Sequence, residues 1–136
     1  MGKILLADDH PDIVRLLELA VRGHGHEIFI AHDGAVALEL AQAERPDLVI
    51  LDVNMPELDG LRVLSRIKAD PALRQAVVVM LTVQNTPADV ALGLDIGADY
   101  YLGKPFSPTE VQQLVRRIFQ NRGADGGERQ SSGSSA

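Results

Sequence analysis

The chain has no cysteine and no tryptophan, and aromatic residues make up only 4% of its 136 residues. Without thiols there is no disulfide framework and no thiolate metal site, so any chemistry rests on oxygen and nitrogen groups. The same absence fits a reducing compartment, and the cytoplasm is the expected location. A basic excess is also missing: 13 Lys and Arg face 19 Asp and Glu, for a net charge of −6. That balance disfavours direct nucleic-acid binding and attraction to an anionic membrane, both of which need clustered cations. No apolar run approaches the roughly 18 residues of a membrane span. A signal peptide is not expected, because strand-like sequence begins at Lys3, and Leu6 stands where a lipidation start would need Ser or Thr. Internal repeats are absent. The apolar fraction of 46% predicts one packed domain.

What is present is a fivefold alternation. Short apolar runs at Lys3–Asp8, Glu27–Ala31, Leu48–Asp52, Val77–Leu81 and Tyr100–Leu102 read as strands buried on both faces of a parallel sheet. Helical periodicity follows each of them. Ile13, Leu16, Leu17 and Ala20 share a face behind Pro11, which suits the first helical position. Asp33 is placed to cap a helix containing Val36, Leu40 and Ala41, and Leu61, Leu64 and Ile67 form a third stripe. Thr86-Pro87-Ala-Asp89 begins a fourth helix weakened by Gly93, at a cost of about 1 kcal/mol relative to Ala. Ser107-Pro-Thr-Glu110 is a capping box before Val111, Leu114, Val115, Ile118 and Phe119. From Arg122 onward the composition turns to Gly, Ser and charge. This divides the chain into a domain at 1–121 and a flexible tail or linker at 122–136.

Polar groups end these runs. Asp8 and Asp9 close the first, Asp52 the third and Thr82 the fourth, and Lys104 follows the fifth. Ligands of open α/β sheets bind beyond the carboxyl ends of the strands, so these five side chains are expected in one site. Two carboxylates ~4 Å apart repel by about 4 kcal/mol at an effective dielectric of 20, and three are tolerable around a hard cation. Mg²⁺ suits such a set, since it takes oxygen ligands and retains water. A carboxylate beside it can attack phosphorus, while Thr82 and Lys104 neutralise the phosphoryl oxygens. Lys104-Pro105-Phe106 fixes a tight turn in which a cis peptide is plausible.

The runs Leu-Ala-Asp8-Asp9, Leu-Asp52-Val-Asn54-Met-Pro56-Glu-Leu-Asp59-Gly60, Leu-Thr82 and Gly97-Ala98-Asp99-Tyr-Tyr101-Leu-Gly-Lys104-Pro105-Phe106 agree in order and spacing with one family. Over roughly Lys3–Asn121 the chain resembles the receiver domain of two-component response regulators. The resemblance implies a flavodoxin-like (βα)5 fold, a doubly wound parallel sheet in order 2-1-3-4-5. It implies Asp52 as phosphoacceptor, with Mg²⁺ held by Asp9 and Asp52 directly, by Asp8 mainly through water and by the Asn54 backbone carbonyl. Thr82 and Lys104 would hold the phosphoryl oxygens. Tyr101 would be the aromatic partner of the Thr82 switch, and Met55-Pro56 and Gly60 would shape the loop beneath Asp52. The phosphoryl donor would be a phosphohistidine on a sensor histidine kinase or a histidine phosphotransfer protein. Output would pass through the face of the fourth helix, fifth strand and fifth helix to a partner protein or a linked effector domain.

Two departures bear on this. Val83 stands where the family usually carries a small residue, which predicts slower phosphate entry or hydrolysis than in Val83→Ala; Asn54 and Gln84 flank the expected water path. No Lys or Arg lies between Gln84 and Asp99, which disfavours a charge-interleaved dimer and leaves hydrophobic pairing through Leu92 or Ile96. The rival class is an aspartate-nucleophile phosphohydrolase. It would need a second acid where Asn54 stands, so a phosphoacceptor is expected rather than an enzyme. His24-Gly-His26 reads as a turn rather than a metal site, His10 as part of the pocket rim, and Arg116 and Arg117 as a solvated face.

Overall fold

Five short β-branched and leucine-rich segments line up as one parallel sheet, and the two at its edges are only partly buried rather than covered on both faces as expected. The computed structural model describes residues 2–55, 57–82 and 97–124, with side chains to residue 121. Its strands are β1 (Lys3–Ala7), β2 (Glu27–Ala31), β3 (Leu48–Asp52), β4 (Val77–Thr82) and β5 (Tyr100–Gly103), in the order β2-β1-β3-β4-β5. All pairs are parallel. β1 stops one residue short of Asp8, whereas β4 takes in Thr82 and β5 takes in Gly103. β3 and β4 are buried along their whole length, which is why they read as unbroken apolar runs.

Helices α1 (Pro11–Val21), α2 (Gly34–Glu44), α3 (Gly60–Ala69) and the C-terminal helix (Pro108–Ala124) cover the sheet. Strand alternation splits the core in two. Leu5, Val49, Leu51, Val78 and Met80 face α2 and α3, whose Ala37, Ala41, Val63, Leu64 and Ile67 complete that layer. Ile4, Leu6, Ile50, Val79 and Leu81 face the other side, where Leu17 and Val21 of α1 meet Val111, Val115 and Ile118. This is the doubly wound arrangement.

The caps follow the sequence. Asp33 accepts from the Val36 N–H at 2.8 Å, and Pro11 occupies the first turn of α1. In the Ser107–Glu110 box, Ser107 Oγ accepts from the Glu110 N–H at 3.1 Å, and Glu110 accepts from the Ser107 N–H at 2.8 Å. The helix faces are less obedient. In α1 the buried set is Val14, Leu17, Ala20 and Val21, with Leu16 only half-buried. In α2 it is Gly34, Ala37, Leu38 and Ala41, and Val36 is exposed. Small residues win there because α2 lies close against the β3–α3 loop. A Cβ on Gly34 would collide with the Leu58 backbone carbonyl. The C-terminal helix also continues to Ala124, beyond the composition change at Arg122.

The expected fourth helix, with Thr86, Gly93, Leu92 and Ile96, lies outside the described residues. So do Pro56, Val83, Gln84 and the tail from residue 125.

Candidate functional site

Parallel register brings the strand ends level. Ala7 pairs with Leu51, Asp52 with Leu81, and Thr82 with Gly103, so the residues that follow emerge on one rim. Backbone bonds extend the ladder into the loops. The Asp8 N–H donates to Ala31 O at 3.2 Å, Val53 N–H to Leu81 O at 3.0 Å and Lys104 N–H to Thr82 O at 2.8 Å. Three loop ends are thereby held at the top of the sheet before any side chain is considered.

Lys104 binds two of the acids. Its Nζ lies 2.9 Å from Asp8 Oδ2 and 3.2 Å from Asp52 Oδ1. Asp8, Asp52 and Thr82 are all buried, at 0%, 3% and 5% exposure, so the pairing operates in a low-dielectric setting. Burial pushes the Asp52 carboxyl above the usual carboxylate range, and the Asp8 charge pushes the same way. Lys104 and the Asn54 N–H oppose them without reversing the shift. For Lys104, burial alone would lower the ammonium's pKa; its bonds and charge interactions with Asp8 and Asp52 outweigh that and raise it. Lys104 is therefore charged at neutral pH.

Asp9 lies beside this group, with its Oδ1 buried and accepting no hydrogen bond among the described residues. Ligand atoms from Asp8, Asp9, His10 and Asp52 all fall within 4.8 Å of one another. Three carboxylates and one ammonium leave a formal charge of about −2 at the cleft, which a dication would cancel. The donor set thus fits a metal on charge and on spacing. Asn54 sits two residues past β3, beside Asp52.

The floor of the site is set by α3. Asp59 caps that helix by accepting from the Arg62 N–H at 3.0 Å, and the Gly60 N–H donates to Val53 O at 2.8 Å. A Cβ on Gly60 would strike the Asp52 backbone carbonyl, so only glycine allows the helix to start directly beneath the acid. β5 is anchored separately. Asp99 Oδ2 accepts from the Val78 N–H at 2.8 Å and from Lys68 Nζ at 3.2 Å, while Lys68 Nζ also donates to Ala76 O at 2.7 Å. Gly97, at φ +130°, lets the chain pass the Lys68 side chain, and this clamp sets where Tyr101 and Lys104 fall. Lys104-Pro105 is cis. Tyr101 pairs with Met80 and packs, half-buried, against the α2–α3 core layer.

Asp8, Asp9, Asp52 and Lys104 are thus brought together, with Thr82 at the same rim and Tyr101 two residues below it, level with Met80. His10 sits at the rim, its side chain 65% exposed, with Nδ1 3.1 Å from Asp8 Oδ1 and 3.2 Å from Asp9 Oδ1. His24 and His26 bear no relation to the site, and His26 stacks on Phe119 with ring centroids 4.3 Å apart.

Known proteins resemble the chain in sequence and fold. Residues 4–116 match the family model described as the response regulator receiver domain. The alkaline phosphatase synthesis transcriptional regulatory protein PhoP of Bacillus subtilis is 41% identical over 118 residues, covering 87% of this chain and 48% of that protein. The chain therefore spans about half the length of the curated relatives it matches. Among solved structures, the chemotaxis response regulator CheY4 of Vibrio cholerae superposes with a TM-score of 0.81 at 31% identity, covering 87% of this chain and 98% of that one. The Mn²⁺-bound form of the response regulator Rcp1 gives 0.74 at 31% identity, covering 87% and 91%. With a matching family model, a parallel sheet in the same order and an acidic cleft closed by Lys104, the chain belongs to the response regulator receiver domain family.

Proposed function

We propose that Asp52 accepts a phosphoryl group from a phosphohistidine on a sensor histidine kinase or a histidine phosphotransfer protein. One carboxylate oxygen of Asp52 attacks phosphorus. The P–N bond of the donor breaks, and its imidazole leaves with the bonding electron pair and takes up a proton. The observation that carries this reading is the Lys104 ammonium bridging two buried carboxylates. It neutralises part of the ground-state charge and stands ready for the oxygens that phosphorylation adds. Thr82, at the next strand end, supplies the hydroxyl on the other side.

Asp8, Asp9, Asp52 and the Asn54 carbonyl are the residues to hold Mg²⁺, and the ion would neutralise charge on the transferring group. The neighbour Rcp1 is described as a Mn²⁺-bound form, which supports a divalent ion for this chain. The chain's own part is to hold Asp52 buried beside the Lys104 ammonium, which offsets part of the burial penalty on its charge. It acts as a phosphoacceptor that assists its own phosphorylation and dephosphorylation, not as an enzyme turning over an external substrate, and Asn54 in place of an acid supports that.

Added phosphoryl charge then draws Thr82 and biases the segment from 82 to 106, with Tyr101 following the vacated space. The described part of the output face is β5 and the C-terminal helix, and it meets a partner protein or a linked effector domain. Residues 1–121 are the switching unit, with 122–136 as its connection. PhoP is named as a transcriptional regulator, at about twice this length. In the present chain the net charge of −6 favours a protein partner over direct nucleic-acid contact. No helix among the described residues is long and apolar enough to cross a membrane, and the cytoplasm is the location we assign.

Phosphoramidate, a small P–N donor, tests the reaction. Label should enter with Mg²⁺ and be abolished by chelation or by Asp52→Asn. Equal labelling of Asp52→Asn would refute the assignment.

A further inference from the structure

A cavity of about 250 Å³ opens at the opposite end of the sheet from the acids, between α1, the turn into β2 and the C-terminal helix. Ala20 and Val115 form its floor, at 1% and 4% exposure. One wall is aromatic: the His26 ring stacks on Phe119 with centroids 4.3 Å apart. Burial, with His24 adding to it and Asp47 opposing, holds the His26 imidazole below its ordinary pKa, so the ring is neutral at neutral pH. A neutral ring stacked on Phe119 makes a flat surface against which another ring can lie. The Nδ1 of His26 is buried and meets no hydrogen-bond partner among the described residues, and a buried polar atom of that kind calls for one.

The mouth of the cavity is polar and lopsided in charge. Gln112, Arg116 and Gln120 recur every four residues along one stripe of the C-terminal helix, all exposed. Arg116 has no acid paired to it among the described residues. No carboxylate lines the cavity, although the chain carries 19 Asp and Glu against 13 Lys and Arg. A pocket whose one full charge is a guanidinium favours an anion, and that planar group matches a carboxylate through two parallel hydrogen bonds. A cavity of ~150 Å³ suffices for a benzene ring, so this one takes a ring, a carboxylate and little more. We propose that the cavity binds a small aromatic carboxylate, with its ring against His26 and Phe119 and its charge on Arg116. Neither the acidic cleft nor the phosphoryl reading enters this inference. A bound molecule would bridge α1, the turn before β2 and the C-terminal helix, and so give that helix an input separate from phosphorylation.

Titration of the isotope-labelled full chain with sodium benzoate, followed by amide NMR spectra, tests this. Benzyl alcohol, the same ring without the charge, is titrated in parallel. Benzoate should shift the amides around Ala20, His26 and Phe119 and saturate with a Kd of about 1 mM or tighter. Benzyl alcohol should bind at least about tenfold more weakly, and Arg116→Ala should weaken benzoate by a similar factor. Arg116 is exposed, so its removal leaves the fold intact. Shifts that do not saturate by ~10 mM, equal affinity for benzyl alcohol, or benzoate affinity unchanged in Arg116→Ala would each overturn the proposal. So would shifts gathered at Asp8 and Lys104, because the anion would then have gone to the Lys104 ammonium.

Discussion

Asp52→Asn should make the metal-free protein more stable, although it removes the reactive group. Asp52 lies within 4.8 Å of both Asp8 and Asp9, and each unit-charge repulsion at that distance is worth about 3.5 kcal/mol at an effective dielectric of 20. Asp9 is one-third exposed, so its share is screened to less. Against this, Lys104 at 3.2 Å attracts Asp52 by about 5 kcal/mol on the same scale. The Coulomb terms nearly cancel, and desolvation of a carboxylate at 3% exposure decides the sign. Desolvation is likewise the leading cause of the raised Asp52 pKa. Because the folded-state pKa lies above the unfolded value, the ionised form is disfavoured in the fold. The protonated form's advantage is fully present below the unfolded pKa and is lost as pH rises through the folded one. At neutral pH the wild type therefore bears a penalty that the amide lacks, of the order of 2 kcal/mol, equivalent to roughly 4–10 °C in Tm for a domain of this size. Thermal melts by circular dichroism in EDTA at pH 7.5 read the difference, and a series descending through the carboxylate range should show it shrinking. Mg²⁺ should also narrow the gap, by stabilising the wild type more. A variant no more stable than wild type at pH 7.5, or a gain that persists unchanged in acid, would refute the reasoning.

Other perturbations separate the site's parts. Lys104→Ala leaves Asp8 and Asp52 buried without their cation, and chemical denaturation of the metal-free protein at pH 7 should show a loss of about 3 kcal/mol; phosphoryl labelling should fall with it. Gly60→Ala drives a Cβ into the Asp52 carbonyl and should cost about 1–3 kcal/mol and reduce labelling, since strand end and helix start must part. Ser107→Ala removes a cap remote from the acids and should cost about 1 kcal/mol in urea titration while labelling is unchanged.

The sheet was legible because β3 and β4 are apolar up to their last residues, Asp52 and Thr82, and such runs belong buried on both faces. The site was legible because acids at the ends of such strands have one place to converge. Helix faces were harder. Nearly every residue of α2 is apolar, so periodicity cannot choose between Val36 and Ala37; closeness to the β3–α3 loop chooses the smaller side chain. In α1, Val14 is buried while Leu16 is only half-buried, although Leu17, Ala20 and Val21 share a core layer with the C-terminal helix as expected.

The central claim is that Asp52 is the atom-level acceptor in a cleft organised by Lys104 and a dication. Acetyl phosphate with Mg²⁺, followed by reductive trapping of the acyl phosphate and peptide mapping by mass spectrometry, tests it most directly. The account predicts one phosphoryl group, on Asp52, and none in Asp52→Asn. Label on another residue, or a wild-type chain that takes up none, would contradict it.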